Sequence, residues 1–446
     1  MISDFISLSL ISILFFYKLL STFFFFTNHE FYSVGKYNRI DFSREISTIL
    51  TEKLNRYAFR GHLCLMDNAK VSIKVHRWAV AIFFFIVGMT FASWASRIPD
   101  IKLILNLNDA ALGGVLVALP LGAMISLPLS GFLVAKFGSK KMVVIGAIGY
   151  PIVLIFIGLS GTIGQLIAVL FLFGVFGNLC NISINTQAVG VEKLYGRSIM
   201  ASFHGIWSLA GFVGAAFGTY LVSENRSPFI HFCIIGLGSV ILVIIISRFA
   251  LSKDVAHSEQ PLFAKPDAML LKLGLIAFSC MVCEGTMFDW SGIYFQKVVQ
   301  VPKELTTLGY AAFMGTMAGG RFLGDWVVTR FGKQKVLMAS GMLISSGLML
   351  AVIVPTILLA TLGFLLVGVG VSSVVPLVYS SAGKSKTMSP GLALTAVSTI
   401  GFLGFLLGPP LIGFIAQTFS LRWSFTLIAI LGFLTTILST LIKWEE

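Results

Sequence analysis

The chain has 446 residues, of which 57% are hydrophobic and only 11% are Asp, Glu, Lys or Arg; 32 basic against 19 acidic side chains leave a net charge of +13. A soluble domain is about 25% charged, so this chain lacks the groups to clothe a globular surface, which excludes soluble enzymes, nucleic-acid binders and disordered polypeptides. The basic residues fall in short clusters between apolar runs, the pattern that orients membrane helices, so the chain reads as a polytopic membrane protein with the bilayer, not nucleic acid, as its surroundings.

Residues 1–76 fit no simple plan. Residues 1–26 are apolar and phenylalanine-rich, broken by Asp4 and Lys18, and a polar stretch runs on to His76. An extra span, an interfacial anchor and an uncleaved signal-like segment are all open, as is translation from Met66, which leaves 381 residues. No small-residue cleavage signal follows Phe26.

From Arg77 onward there are twelve runs of the length, about 20 residues, that crosses a hydrocarbon core. They begin near Trp78, Ala111, Met142, Ile163, Met200, Phe229, Met269, Leu305, Val336, Thr356, Gly391 and Arg422. The longest polar interruption, Leu251 to Ala268, reads as a cytoplasmic linker between a six-helix half at 77–250 and another at 269–446. Alternate loops hold eighteen Lys and Arg on one side and six on the other, namely Arg97, Lys102, Arg226, Lys297, Lys303 and Arg422. The positive-inside rule then puts both ends of the twelve-helix core in the cytoplasm. The expected fold is an all-α membrane protein of twelve transmembrane helices. Five cysteines, including the Cys280-Cys283 pair, lack the spacing of a metal site or a disulfide framework and read as small packing residues.

The two halves echo each other. Lys136-Phe137-Gly138 recurs as Arg330-Phe331-Gly332 and Gly174-Val175 as Gly368-Val369, both at an offset of 194. Ser93-Trp94 recurs as Asp289-Trp290 at 196, and Gly211, Gly214 and Gly218 match Gly401, Gly404 and Gly408 at 190. Such parallel halves suit a carrier that rocks about a central site.

On these features the chain resembles the major facilitator superfamily over residues 77–443. The family signature G-x-x-x-D-R-x-G-R-K stands here as Gly131-Phe132-Leu133-Val134-Ala135-Lys136-Phe137-Gly138-Ser139-Lys140, with Ala135 at the acidic position and Thr329 at its second-half counterpart. The segments Ser96 to Lys102, Cys283 to Ser291 and Gly320 to Asp325 look most like the fucose-permease-like branch of bacterial carriers. The resemblance implies a multi-pass protein of a bacterial inner (plasma) membrane, acting as a monomer without a cofactor, and gives Lys136 and Gly138 gating or structural roles.

Polar residues inside the spans carry the chemistry. Glu284 lies near the middle of the seventh span, where an ionised acid costs about 2.5–3.5 kcal/mol; it is expected to face a wet cavity and to exchange a proton, the bland reading being a protonated acid bonded between helices. Asp289, about 140° around the helix, is the second proton-coupling candidate; with Trp290 and Tyr294 it shapes the outer cavity or pairs with Lys297. Asn178, Asn181 and Asn185 share one face of the fourth span, Asn178 and Asn181 being candidates for a hydroxyl-binding cavity wall. Their second-half counterparts are Ser372, Val375 and Tyr379. On the first span Ser93 and Trp94 are cavity candidates, while Arg97 reads as a snorkelling residue. His204, beside Trp207 and one turn from Ser208, suits gating or packing. Arg321 and Asp325, one turn apart on the eighth span, are expected to pair with each other or across to the eleventh, in a structural or gating role and not a substrate-binding one.

No ATP-binding G-x-x-x-x-G-K-[ST] loop occurs, so energy must come from a gradient, and the carriers resembled here use protons. The reading is a secondary transporter, not an enzyme, moving a small polar, sugar-like solute. The Gly-Pro run of drug:proton antiporters belongs to the fifth span; here Gly408-Pro409-Pro410 sits in the eleventh, which favours uptake. A proton-coupled exporter and a non-transporting sensor are the alternatives.

Overall fold

The computed structural model describes residues 73–196, 199–252, 267–385, 387–388 and 390–442, and not the side chains of Ala201, Asp325, Pro390 and Gly391. The readings of the first 72 residues, and most of the linker, lie outside the described residues.

Among the described residues all regular structure is helical, and it forms twelve spans. The first half has Ile73–Ile104, then the helix pair Asp109–Leu116 and Ala118–Phe137, then Ser139–Gly158, Ile163–Tyr195, Met200–Ser223 and Pro228–Ile246. The second half has Ala268–Tyr294, Leu308–Phe331, Lys333–Ile353, the pair Ile357–Ser372 and Val374–Ala382, then Pro390–Thr418 and Leu421–Thr440. Eleven are long and apolar enough to cross a membrane by length and composition. The eighth, Leu308–Phe331, has the length but carries Arg321, Asp325 and Arg330.

Local chemistry sets the boundaries. Asn108, Thr162, Ser227, Asp267 and Thr356 each cap a helix by accepting from the N–H three residues on, satisfying donors that a helix start leaves orphaned. The second span breaks at Val117 and the tenth at Ser373. Pro120 and Pro376 follow within three residues; each lacks the N–H that would continue the ladder across the break. The eighth span starts at Leu308 instead of Leu305 because Lys303–Leu305 closes a 3-10 turn first.

The sequence repeat reappears in the packing. The first span lies on the fifth, where Gly214 abuts Ala92 and Met89; the seventh lies on the eleventh, where Gly404 abuts the Phe278 carbonyl and Met281. The second span meets the fourth at Gly174, which touches the Leu119 carbonyl, as the eighth meets the tenth at Gly368, which touches the Phe313 carbonyl. Gly138 and Gly332 end the second and eighth spans with φ of +85° and +82°, a conformation closed to most L residues. Between the halves, the fifth span packs on the eighth and the second on the eleventh. Cys180, Cys280 and Cys283 are free thiols buried in this packing.

Candidate functional site

One end of the bundle is sealed. Asp109, which opens the second span, receives the ammonium of Lys102 from the first span and that of Lys297 from the seventh, the latter at 2.8 and 3.0 Å. The Asp109 N–H donates to Gln417 of the eleventh span at 3.2 Å. Gly113 meets the backbone of Pro409 and Gly413, and Thr219 hydrogen-bonds Thr307 between the fifth and eighth spans. Lys102 reaches Asp109 within the first half; the other contacts join one half to the other. Of the two readings of Asp289, the pairing with Lys297 is the one not found: Lys297 is drawn to Asp109, and Asp289 has no hydrogen bond or ion pair among the described residues.

Arg97 also departs from expectation. It is 1% exposed and does not snorkel. Its Nε–H donates to His231 Nδ1 at 3.0 Å and its Nη1 to Asp100 at 2.7 Å, tying the first span to the sixth. A neighbouring imidazole and carboxylate make burial cheaper than the reach to an interface. Ser93 and Trp94 are buried beside it, Ser93 donating to the Met89 carbonyl and the Trp94 indole N–H having no partner. In this conformation they face no open vestibule.

The opposite end is looser. The second span touches the eleventh almost wholly through Asp109–Leu116. Beyond the break its buried residues form one stripe, Ala118, Gly122, Ser126, Ser130 and Val134, with Gly122 against the Phe171 backbone of the fourth span. The eighth span likewise exposes Phe322, Leu323 and Trp326 below its buried upper part.

Between the sealed and loose ends sits a charged pair. Arg321 of the eighth span holds Glu284 of the seventh at 3.3 Å and donates to Ser208 Oγ of the fifth at 2.7 Å, so it links both halves. Its guanidinium lies 5.7 Å from the Trp207 ring centroid. Above it Phe288 gathers Phe91 at 5.2 Å, Trp207 at 6.2 Å, Phe313 at 5.8 Å, Tyr310 at 6.3 Å and Phe405 at 6.5 Å. These rings come from the first, fifth, seventh, eighth and eleventh spans. They form an apolar tier between the charged pair and the sealed end. Arg321 takes Glu284 and Ser208; the expected pairing with Asp325 falls on a side chain outside the described residues.

The remaining expected residues are dispersed. Asn178 donates to Ser126 and Ser130, both at 3.3 Å, so it holds the second span to the fourth. Asn181 is exposed and accepts from Asn185 at 2.9 Å. Ser372 donates to the Val369 carbonyl and packs on Gly320. Tyr379 points a buried, unpartnered hydroxyl toward the Glu284 region. Trp290 is fully buried with a partnerless indole N–H. His204 is exposed, with Phe84 edge-on at 5.3 Å and Arg321 close enough to act on it electrostatically. Lys136 lies over the Phe132 and Phe137 rings next to Gly138. A groove of about 520 Å³ between the second and fourth spans, lined by Val117, Leu121, Ile167 and Phe171, is apolar and offers no chemistry.

Sequence reasoning did not find the aromatic tier, the Ser208 contact or the Lys102–Asp109–Lys297 cluster. Six aromatic residues from five separate spans share no periodicity. The signal available for Arg321 was that an arginine inside an apolar span needs an acid on another helix.

The pattern of the Major Facilitator Superfamily matches residues 79–389. An MFS-type transporter of Yersinia pestis, itself uncharacterised, is 33% identical over 371 residues, covering 81% of this chain and 97% of that protein. Among solved structures, a bacterial homologue of the human lysosomal transporter Spinster, inward-facing and unoccupied, superposes with a TM-score of 0.66 at 14% identity over 84% of this chain and 97% of its own. The nucleoside transporter NupG superposes at 0.64 and 16% identity, over 83% of this chain and all of that one.

Proposed function

The chain belongs to the Major Facilitator Superfamily of membrane transporters, and from that premise we propose that it takes up a small polar solute by alternating access, coupled to protons. The observation that carries this reading is the Glu284–Arg321 pair, set mid-span and joined to the other half through Ser208. Charges at that depth are costly, so such residues are kept for work. When Glu284 is ionised, the pair neutralises itself and ties the eighth span to the seventh. When Glu284 takes a proton, the tie weakens and Arg321 is released. A proton at this point therefore alters both the site and the contact between halves.

The loops of the loose end carry the basic excess, including Lys136, Lys140, Arg330 and Lys335. The positive-inside rule turns that end to the cytoplasm, so the conformation reads as inward-open with its outer end latched. Uptake then runs from an outward-open state that accepts proton and solute to this one, which releases both. The Gly-Pro run in the eleventh span, away from the antiporter position in the fifth, favours that direction.

Thermal-shift screening of the purified chain against sugars, polyols and organic acids will identify a solute. In proteoliposomes with an imposed proton gradient, wild type is expected to accumulate it. Glu284→Gln is expected to bind it but only equilibrate it. Accumulation against a gradient by that variant would remove Glu284 from the coupling role.

A further inference from the structure

Arg321 is under-used where it stands. Its Nη1 donates to Ser208 and its Nη2 to a single oxygen of Glu284; its other N–H groups have no partner among the described residues. At 3.3 Å the ion pair is longer than the ~2.7–2.9 Å of a firm charge-assisted bond, and the fork that suits a carboxylate bidentately is filled by neither. The side chain is 14% exposed, so a ligand can reach it. One phenol hydroxyl in the Glu284 region, that of Tyr379, is buried without a partner. Buried hydroxyls normally have one. The Phe288 tier supplies flat apolar walls on the same side.

A charge argument narrows the solute further. If Glu284 is protonated while a neutral solute binds, Arg321 is left as a largely buried cation with no acid against it among the described residues, the arrangement that costs most in a low dielectric. A solute that brings its own carboxylate avoids this. The proton neutralises Glu284, the solute neutralises Arg321, and the occluded site carries no excess charge beyond that of its resting state.

Resting on the transporter reading above, we propose that the solute is a small organic carboxylate with an apolar or aromatic body, bound by Arg321 in place of Glu284 and stacked beneath the Phe288 tier. Glu284 and the solute compete for one guanidinium, so proton and anion enter together. Among the described residues the other groups facing the pair are Tyr379 from the tenth span, Cys280 and Cys283 on the seventh, and His204 from the fifth, which faces Arg321.

The test uses the purified full chain in detergent and two matched probe pairs, mandelate against mandelamide and gluconate against glucose. Binding is read by thermal shift and tryptophan fluorescence at mildly acidic and mildly alkaline pH. The two carboxylates are expected to bind and their neutral partners not, with affinity about tenfold or more tighter at acidic pH. Arg321→Gln should lose this binding. Glu284→Gln should bind the carboxylates equally well at both pH values, a gain at alkaline pH that misfolding cannot produce. Equal binding of mandelamide or glucose, binding by neither carboxylate, or an unchanged pH dependence in Glu284→Gln overturns the proposal. Gradient-driven accumulation of glucose that depends on Glu284 would leave the transporter reading standing and remove the carboxylate. Carboxylate binding without gradient-driven accumulation would do the reverse.

Discussion

The guanidinium of Arg97 is sealed among His231, Asp100 and helix packing, whereas that of Arg321 is 14% exposed and holds one carboxylate oxygen at 3.3 Å. Both are arginines in apolar spans, and their neighbours alone separate a structural tie from a site that can trade partners. Asp267 shows the same dependence on neighbours outside the membrane. Its carboxylate accepts from the Leu270 N–H and from Thr387 Oγ1 at 2.7 and 2.6 Å, joining the seventh span to the segment before the eleventh. Those bonds, the Leu270 N–H first, hold its pKa below the ordinary carboxylate value. A carboxylate lowered on folding contributes stability that is present above its unfolded value and lost as pH falls through its folded value. Amide exchange in the first turn after Asp267 is thus expected to quicken as pH drops through that window, once the intrinsic exchange rate is divided out. Asp267→Asn, which still caps a helix, should flatten that dependence; an unchanged profile would count against the tie.

At the scale of elements, the bundle rests on close approaches that glycine permits. A Cβ at Gly174 or Gly368 would run into the carbonyl of Leu119 or Phe313, both backbone atoms that cannot step aside, whereas a Cβ at Gly131 meets nothing within 4 Å. Gly174→Ala and Gly368→Ala are each expected to cost about 1–3 kcal/mol as overpacked contacts, while Gly131→Ala in the signature segment is close to neutral. Melting of the three variants in one detergent checks the order, and equal losses at all three positions would refute it. The span boundaries were legible in the sequence because apolar length, cap residues and the basic loops all act locally. The eighth span was legible too, despite Arg321 and Asp325, because its flanks matched those of the second. The two breaks were not read, since a proline in an apolar run marks where a helix can bend without saying that it does. The amide face of the fourth span was read as a cavity wall with helix–helix bonding as the alternative; Asn178 takes the alternative, because Ser126 and Ser130 lie opposite it.

At the scale of the whole molecule, one carboxylate closes one end. Asp109 gathers Lys102 from its own half and Lys297 from the other, so opening that end must separate at least one of these charges from its partner. Asp109→Asn removes the charge and keeps much of the shape. Its expected effect is a shift in population away from the closed form. The readout is labelling of a cysteine placed at Thr307, which is 1% exposed here, in a background cleared of native thiols. A membrane-impermeant maleimide on that face should react several-fold faster when Asp109→Asn is added, and an unchanged rate would show that the charges do not hold the end shut. The sequence by itself determined the spans, their repeat and the presence of a few acids and an arginine within apolar helices, because each follows from composition along a single stretch of chain. Which acid meets which base was decided only by the tertiary structure. Lys297 goes to Asp109, Arg97 to Asp100 and His231, and Arg321 to Glu284. Each of these choices rests on distances between side chains, many of them on helices far apart in the chain. Coulomb attraction in a low-dielectric interior rewards the nearest opposite charge in space, and nearness in space is what a linear sequence does not contain.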